Sequence, residues 1–144
     1  MSKKRFASKT GPQPDPVFFV DRSLGSRKVV DALRKAGARV EAHGDHFADD
    51  APDEEWLILA GTKEWVVLTK DSLRKRPIEM RALAAARLRA IILTRRNLSG
   101  DEMAAMFVAY LEAMIRMCQR EPPPFVATLG GSGLRISRRA KDLG

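Results

Sequence analysis

The stretch Val17-Phe18-Phe19-Val20-Asp21 reads VFFVD, four apolar residues without alternation, closed by a carboxylate. A strand with one wet face alternates apolar and polar side chains, whereas a strand covered on both faces stays apolar. The run therefore predicts a doubly buried strand, the kind found in a parallel sheet with helices above and below it. Trp65 to Thr69 (WVVLT) and Arg89 to Thr94 (RAIILT) repeat the signal farther along.

The segments between these runs supply the helices. From Ser26 to Ala36, Val29, Val30 and Leu33 follow helical spacing, and Gly37 provides a stop. Ala38 to Ala42 reads as a short second strand, Pro52 to Glu64 as a second helix, and Pro77 to Leu88 as a basic helical segment. The alternation of strand and helix predicts a doubly wound α/β fold, a three-layer sandwich whose mostly parallel central sheet carries helices on both faces. A long helix is expected from Asp101 to Arg120, opened by Ser99-Gly-Asp-Glu102 in capping-box spacing, so Ser99 and Glu102 are structural. Its apolar stripe, Met103, Met106, Phe107, Tyr110, Leu111, Met114, Ile115 and Cys118, suits a core and is wide enough to reach a second subunit, which makes a homodimer an expectation. Pro122 to Pro124 ends that helix, Phe125 to Leu129 adds a strand, and Gly130-Gly131-Ser132-Gly133 is a turn leading to a basic end. That glycine run lacks the spacing and the following helix of a phosphate loop.

The chain has 144 residues, 44% of them hydrophobic, enough for one core. Residues 17–144 are read as a single domain. Residues 1–16, with Lys3, Lys4, Arg5 and Lys9 among Ser, Gly and Pro, are read as a flexible basic arm. A formal charge of +8 should attract polyanions, and RNA or DNA is the natural candidate. The single Cys118 excludes an intramolecular disulfide or a cysteine metal cage, and the reading is a cytoplasmic protein. No run approaches the roughly 18 apolar residues that span a bilayer, so no membrane partner is expected.

In a doubly wound sheet, ligands bind outside the carboxyl ends of the strands. Asp21 closes the first run and Asp71 stands two residues beyond the third strand. Neighbouring strands lie about 4.8 Å apart, so two such carboxylates can share a cation if their strands are adjacent. Asp53, with Glu54 beside it, opens the second helix near the same edge. Three carboxylates this close repel one another without a cation, and hard oxygen sites suit Mg2+ or Mn2+. Taken singly, each acid also fits a turn, a helix cap or a helix dipole. Lys70, Arg74, Lys75 and Arg76 flank Asp71 and are candidates to grip RNA phosphates. Thr69 is read as orienting the site. His43 and His46 are too few for a zinc site.

The ordered set FFVDRSLG, DALRKAGARVEAHGDHF, PDEEWLILA and WVVLTKD, from Phe18 to Asp71, resembles the compact PIN-like domains related to VapC toxins. The resemblance implies a ribonuclease, commonly the toxin of a toxin-antitoxin pair, with clustered acids holding magnesium or manganese and a cognate antitoxin protein as partner. Asp21 matches the first acid after strand one, Asp53 the acid opening the later helix, and Asp71 the acid of the Thr-x-Asp motif. The further acid that PIN enzymes usually carry in an early helix has no counterpart: Glu41 falls on a strand, Glu54 and Glu55 neighbour Asp53, and Arg22 stands where related domains often have an acid. Two rivals remain at the level of sequence. One is a catalytically silent module that binds nucleic acid or a toxin partner. The other is a phosphoryl receiver domain, which needs paired acids after strand one and an Asp directly ending strand three; here stand Arg22 and an Asp two residues late.

Overall fold

The computed structural model describes residues 15–24, 27–48, 50–70, 81 and 83–143, the side chains of residues 53 and 54 excepted. Nearly all of the arm read at 1–16, Asp71 and the basic residues Arg74, Lys75 and Arg76 lie outside the described residues.

Six strands form one sheet: β1 Val17–Val20, β2 Arg39–Ala42, β3 Val66–Lys70, β4 Arg89–Leu93, β5 Phe125–Gly130 and β6 Gly133–Arg138. Their spatial order is β2-β1-β3-β4-β5-β6, with the first five parallel and β6 antiparallel to β5. The helices are α1 Arg27–Lys35, α2 Asp53–Thr62, α3 Gly100–Ala109, α4 Leu111–Arg120 and the short α5 Ala140–Leu143. Chain order reverses between β1 and β3, so the crevice at their carboxyl ends is the switch point of the sheet.

The unbroken apolar runs have the expected cause. Successive residues of a strand face opposite sides, and Phe18 and Phe19 are both 0% exposed. Phe18, Val20, Leu68, Ile91 and Leu93 share one core with α1, α3 and α4. Phe19, Val67, Ala90 and Ile92 share the other with Trp56, Leu57 and Ala60 of α2 and with Leu83 and Leu88. Trp56 and Trp65 both stack on Phe19, with ring centroids 5.7 and 5.5 Å away. The architecture is the three-layer α/β sandwich expected.

One element differs from the sequence reading. The long helix breaks at Tyr110 (φ −102°, ψ 9°) into α3 and α4. A straight helix of that length would run about 30 Å, farther than strands of five or six residues, which reach about 20 Å. The break keeps Met103 and Phe107 on one side of it, and Leu111, Met114 and Cys118 on the other, against the same core. The stripe read as reaching a second subunit is thus largely spent on the sheet. The basic end beyond the glycine turn is a strand, β6, in which Leu134 and Ile136 pack on the core and alternate with Arg135 and Ser137. The capping box is complete: the Ser99 hydroxyl accepts from the Glu102 N–H at 3.0 Å, and the Ser99 N–H donates to the Glu102 carboxylate at 2.8 Å.

Candidate active site

β1 and β3 are parallel neighbours in the register Val20 with Leu68, and the Asp21 N–H extends the ladder by donating to the Leu68 carbonyl at 3.0 Å. The chain then turns into a short 3-10 helix, Arg22–Leu24, whose Leu24 N–H donates to the Asp21 carbonyl at 3.1 Å. This turn brings Ser23 back over Asp21. The Asp21 side chain emerges on the α2 side of the sheet at the carboxyl edge and is only 6% exposed.

Its two oxygens have different surroundings. Oδ2 accepts the Thr69 hydroxyl at 2.7 Å and the Ser23 hydroxyl at 2.7 Å. The two hydroxyl oxygens are 3.1 Å apart, and the Lys70 N–H donates to Ser23 Oγ at 3.2 Å. The hydroxyls thus tie both strand ends to one carboxylate oxygen. Oδ1 is buried and has no hydrogen-bond partner among the described residues. A buried carboxylate oxygen without a donor is costly, and such an atom in a native fold calls for an explanation, an unseen ion being one.

The remaining candidates fall into place by topology. β2 ends at the carboxyl edge and β3 begins at the amino edge, so α2 runs between those edges and its first turn, with Asp53 and Glu54, starts on the same side of the molecule as Asp21. Pro52 is its N-cap and supplies no capping side chain. Asp71 follows Lys70, the exposed last residue of β3. Among the described residues no three His, Cys, Asp or Glu side chains converge to hold a metal ion, and Asp71 and the side chains of Asp53 and Glu54 fall outside that set.

The histidines take other roles. His43 is 2% exposed and packs against Phe19 and Phe47, with ring centroids 6.1 and 5.4 Å away. His46 pairs at the surface with Glu41, Nε2 to Oε1 at 2.8 Å. Arg22, in the position where an acid was sought, is exposed. Cys118 is buried in α4, and burial pushes its thiol up to about 12 against the opposing pull of Arg89. Such a thiol is inert. Sequence reading missed Ser23; its signal is the Asp-x-Ser spacing just after a buried strand, where a hydroxyl can fold back onto the carboxylate.

Comparison with known proteins bears on the same segment. The family model described as "PIN like domain" matches residues 16–95. "Putative ribonuclease VapC45" of Mycobacterium tuberculosis (strain ATCC 25618 / H37Rv) is 31% identical over 117 residues, covering 78% of this chain and 84% of that protein. No solved structure matches the chain. The family match takes in β1 through β4, both strand ends that meet at Asp21 and the whole of α2, and the curated relative extends the likeness over most of the chain: it belongs to the PIN-like domain family, in its VapC-type branch.

Proposed function

We propose that this protein is a divalent-metal-dependent endoribonuclease, the toxin of a toxin-antitoxin pair, acting at the crevice between β1 and β3. The observation that carries the reading is Asp21: a buried carboxylate with one oxygen held by two hydroxyls and the other without a donor among the described residues. An all-oxygen site of this kind fits Mg2+ or Mn2+. The family and the curated relative, itself named as a ribonuclease, support the choice of RNA.

In this reading Asp21, Asp53 and Asp71, with Glu54 as a further donor, hold the ion. When bound, the ion supplies a water of lowered pKa and neutralises charge on the phosphate under attack. Thr69 and Ser23 fix the Asp21 carboxylate before substrate arrives, which spares the site that ordering cost during the reaction. Lys70, exposed at the end of β3, meets a phosphate beside the scissile bond, and Arg74, Lys75 and Arg76 extend the grip. A cognate antitoxin is the protein partner. Among the described residues no helix is long and apolar enough to cross a membrane.

The test is cleavage of single-stranded RNA with Mg2+, with Mn2+ and with a chelator, for the native chain and for Asp21→Asn. Cleavage that needs the ion and vanishes with the substitution is the expected result. RNA retained but uncut under every ion would overturn the enzyme and leave the silent nucleic-acid-binding module in its place.

A further inference from the structure

The carboxyl edge that carries Asp21 continues past β3, and the structure there holds a cavity of about 430 Å3 between the end of β4 and the β5–β6 hairpin. Thr94, Thr128, Gly130, Ser132 and Arg135 are among its lining residues. We propose that this cavity is a second RNA subsite, one that holds a backbone phosphate away from the scissile bond. The proposal rests on the ribonuclease reading above and adds to it where, on this chain, the rest of the strand is gripped.

Three observations support it. The first is alignment. Thr69 pairs with Ile92, Ile92 with Thr128 and Thr128 with Arg135. Residues paired across a sheet face the same side, so the row that starts at Asp21 and Thr69 runs without a change of face to Thr128 and Arg135. With strands about 4.8 Å apart, Thr128 stands about 10 Å and Arg135 about 14 Å from Thr69 along that row. An RNA strand crossing the carboxyl edge from the Asp21 crevice meets the cavity next.

The second observation is chemistry. Among the described residues the lining offers threonine and serine hydroxyls, glycine backbone and one guanidinium beside Ile136, and no carboxylate. These are the groups that bind phosphate oxygens without reading a base. Arg135 is exposed and has no ion pair among the described residues, whereas Arg139, beyond the far end of β6, is engaged by Glu121 at 3.1 Å. Arg95 and Arg96, both exposed, follow Thr94 directly. A cavity of similar size, about 390 Å3, at the amino edge sets Asp15 and Glu64 among Arg39, Lys63 and Arg89, so its mixed charge does not select a polyanion.

The third observation is the glycine turn. A Cβ built on Gly130 would overlap Thr94 Oγ1, so the residue type lets the β5 backbone lie against the threonine. A Cβ on Gly131 would meet nothing within 4 Å, which leaves the turn backbone open toward the solvent side. The glycine run that lacks the spacing of a phosphate loop thus forms one wall of a polar cavity by another route. An arginine on an edge strand also guards against edge-to-edge pairing, a role that makes no demand on RNA.

The experiment uses the full chain carrying Asp21→Asn, so that RNA is bound and not cut. Two labelled single-stranded RNAs, a dinucleotide whose single phosphate cannot occupy both places and a strand of about twelve nucleotides, are titrated across a salt series by fluorescence anisotropy. Arg135→Gln should weaken the longer RNA about tenfold and lower its log K against log salt slope by about 0.7, the release expected for one phosphate contact on a single strand. The shorter RNA should be unaffected, and Arg135→Lys should keep the slope. Thr128→Val, which removes a hydroxyl and no charge, should weaken the longer RNA with the slope intact. Equal effects on both lengths, or none on the longer, would overturn the subsite. So would an acidic peptide that binds through Arg135 while RNA is indifferent to it. Cleavage by the native chain is scored separately: its absence alongside the length-dependent slope change would sink the nuclease and leave the subsite, and the reverse result would sink the subsite alone.

Discussion

The double-mutant cycle between Asp21 and Thr69 tests how firmly the hydroxyl holds the carboxylate and, repeated with metal, whether that carboxylate is a ligand. Thr69→Val replaces a buried hydroxyl, 2% exposed and 2.7 Å from Asp21 Oδ2, with a methyl of nearly the same size. A hydrogen bond to a charged acceptor contributes about 1.5–3 kcal/mol and a neutral one about 0.5–1.5 kcal/mol. Thr69→Val should therefore cost about 2 kcal/mol with the carboxylate present and about 1 kcal/mol in the Asp21→Asn background, where the amide oxygen still accepts. The difference, about 1 kcal/mol, is the coupling energy and exceeds the usual additivity error of about 0.3–0.5 kcal/mol. Asp21→Asn alone should leave stability unchanged or higher, because the Ser23 and Thr69 donors are kept and a desolvated charge with one unpartnered oxygen is removed.

Urea unfolding of the four proteins at neutral pH in chelator gives the cycle, and repeating it with Mg2+ or Mn2+ gives the metal response. A cation bound only to the folded site stabilises by about 2.7 kcal/mol at a hundred times its Kd, and Asp21→Asn should abolish that gain. Asp101→Asn, exposed in the first turn of α3, is the control and should retain it. A coupling energy indistinguishable from zero would mean that the hydroxyls do not hold an ionised carboxylate. A metal gain undiminished by Asp21→Asn would remove Asp21 from the ligand set.

Gly61→Ala in α2 should destabilise even though alanine is the better helix former by about 1 kcal/mol, because the added Cβ would stand 2.6 Å from the Ala86 carbonyl oxygen; thermal melts showing a gain would contradict the close approach. Gly130→Ala should cost about 1–3 kcal/mol, and Thr94→Ala in the same chain should recover most of it, since the obstructing atom is Thr94 Oγ1; no recovery would refute that contact. Burial raises the Cys118 thiol to about 12 while an unfolded thiol ionises near 8.5. Its contribution to stability is whole below the unfolded value and is lost as pH rises toward 12, so Cys118→Ala should flatten the alkaline decline in denaturation curves, and parallel declines would refute the assignment.

Much of this fold was legible because burial on both faces leaves a direct trace in sequence. VFFV, VVL and AIIL could not alternate, since each residue meets a helix layer on one side or the other. Gly37, at φ 100°, and the Ser99 to Glu102 box marked helix ends for local reasons that survive tertiary packing. The break at Tyr110 left no such trace: neither proline nor glycine stands there, and the apolar stripe runs through it because both halves face one core. β6 did leave one, the alternation Leu134, Arg135, Ile136, Ser137 behind a glycine turn, which is the pattern of a terminal hairpin. Of the site, the two strand-end positions came from the sequence and Ser23 did not, because its contribution depends on a turn that folds it back over Asp21.

The Asp21 arrangement separates two functions that a single carboxylate usually shares. An aspartate whose only task is to close a strand gains most when both oxygens are satisfied by the protein, as a capping residue is. Here the Ser23 and Thr69 hydroxyls converge on Oδ2, and the Lys70 N–H secures Ser23, so both side-chain hydroxyls brought by the two strand ends are spent on one oxygen. The orientation of Oδ1 is thereby fixed by the parallel register of β1 and β3. The Asp21 carboxylate is held this way by protein donors alone, and its geometry follows from the sheet. The same register extends through Ile92 to Thr128 and Arg135, so the distance between the Asp21 crevice and the outer cavity is set by strand spacing. If the proposed site and subsite both hold RNA, substrate length becomes the variable that reports on the fold: a strand too short to cross the intervening strands would use Asp21 alone, and one long enough would use both ends of the row.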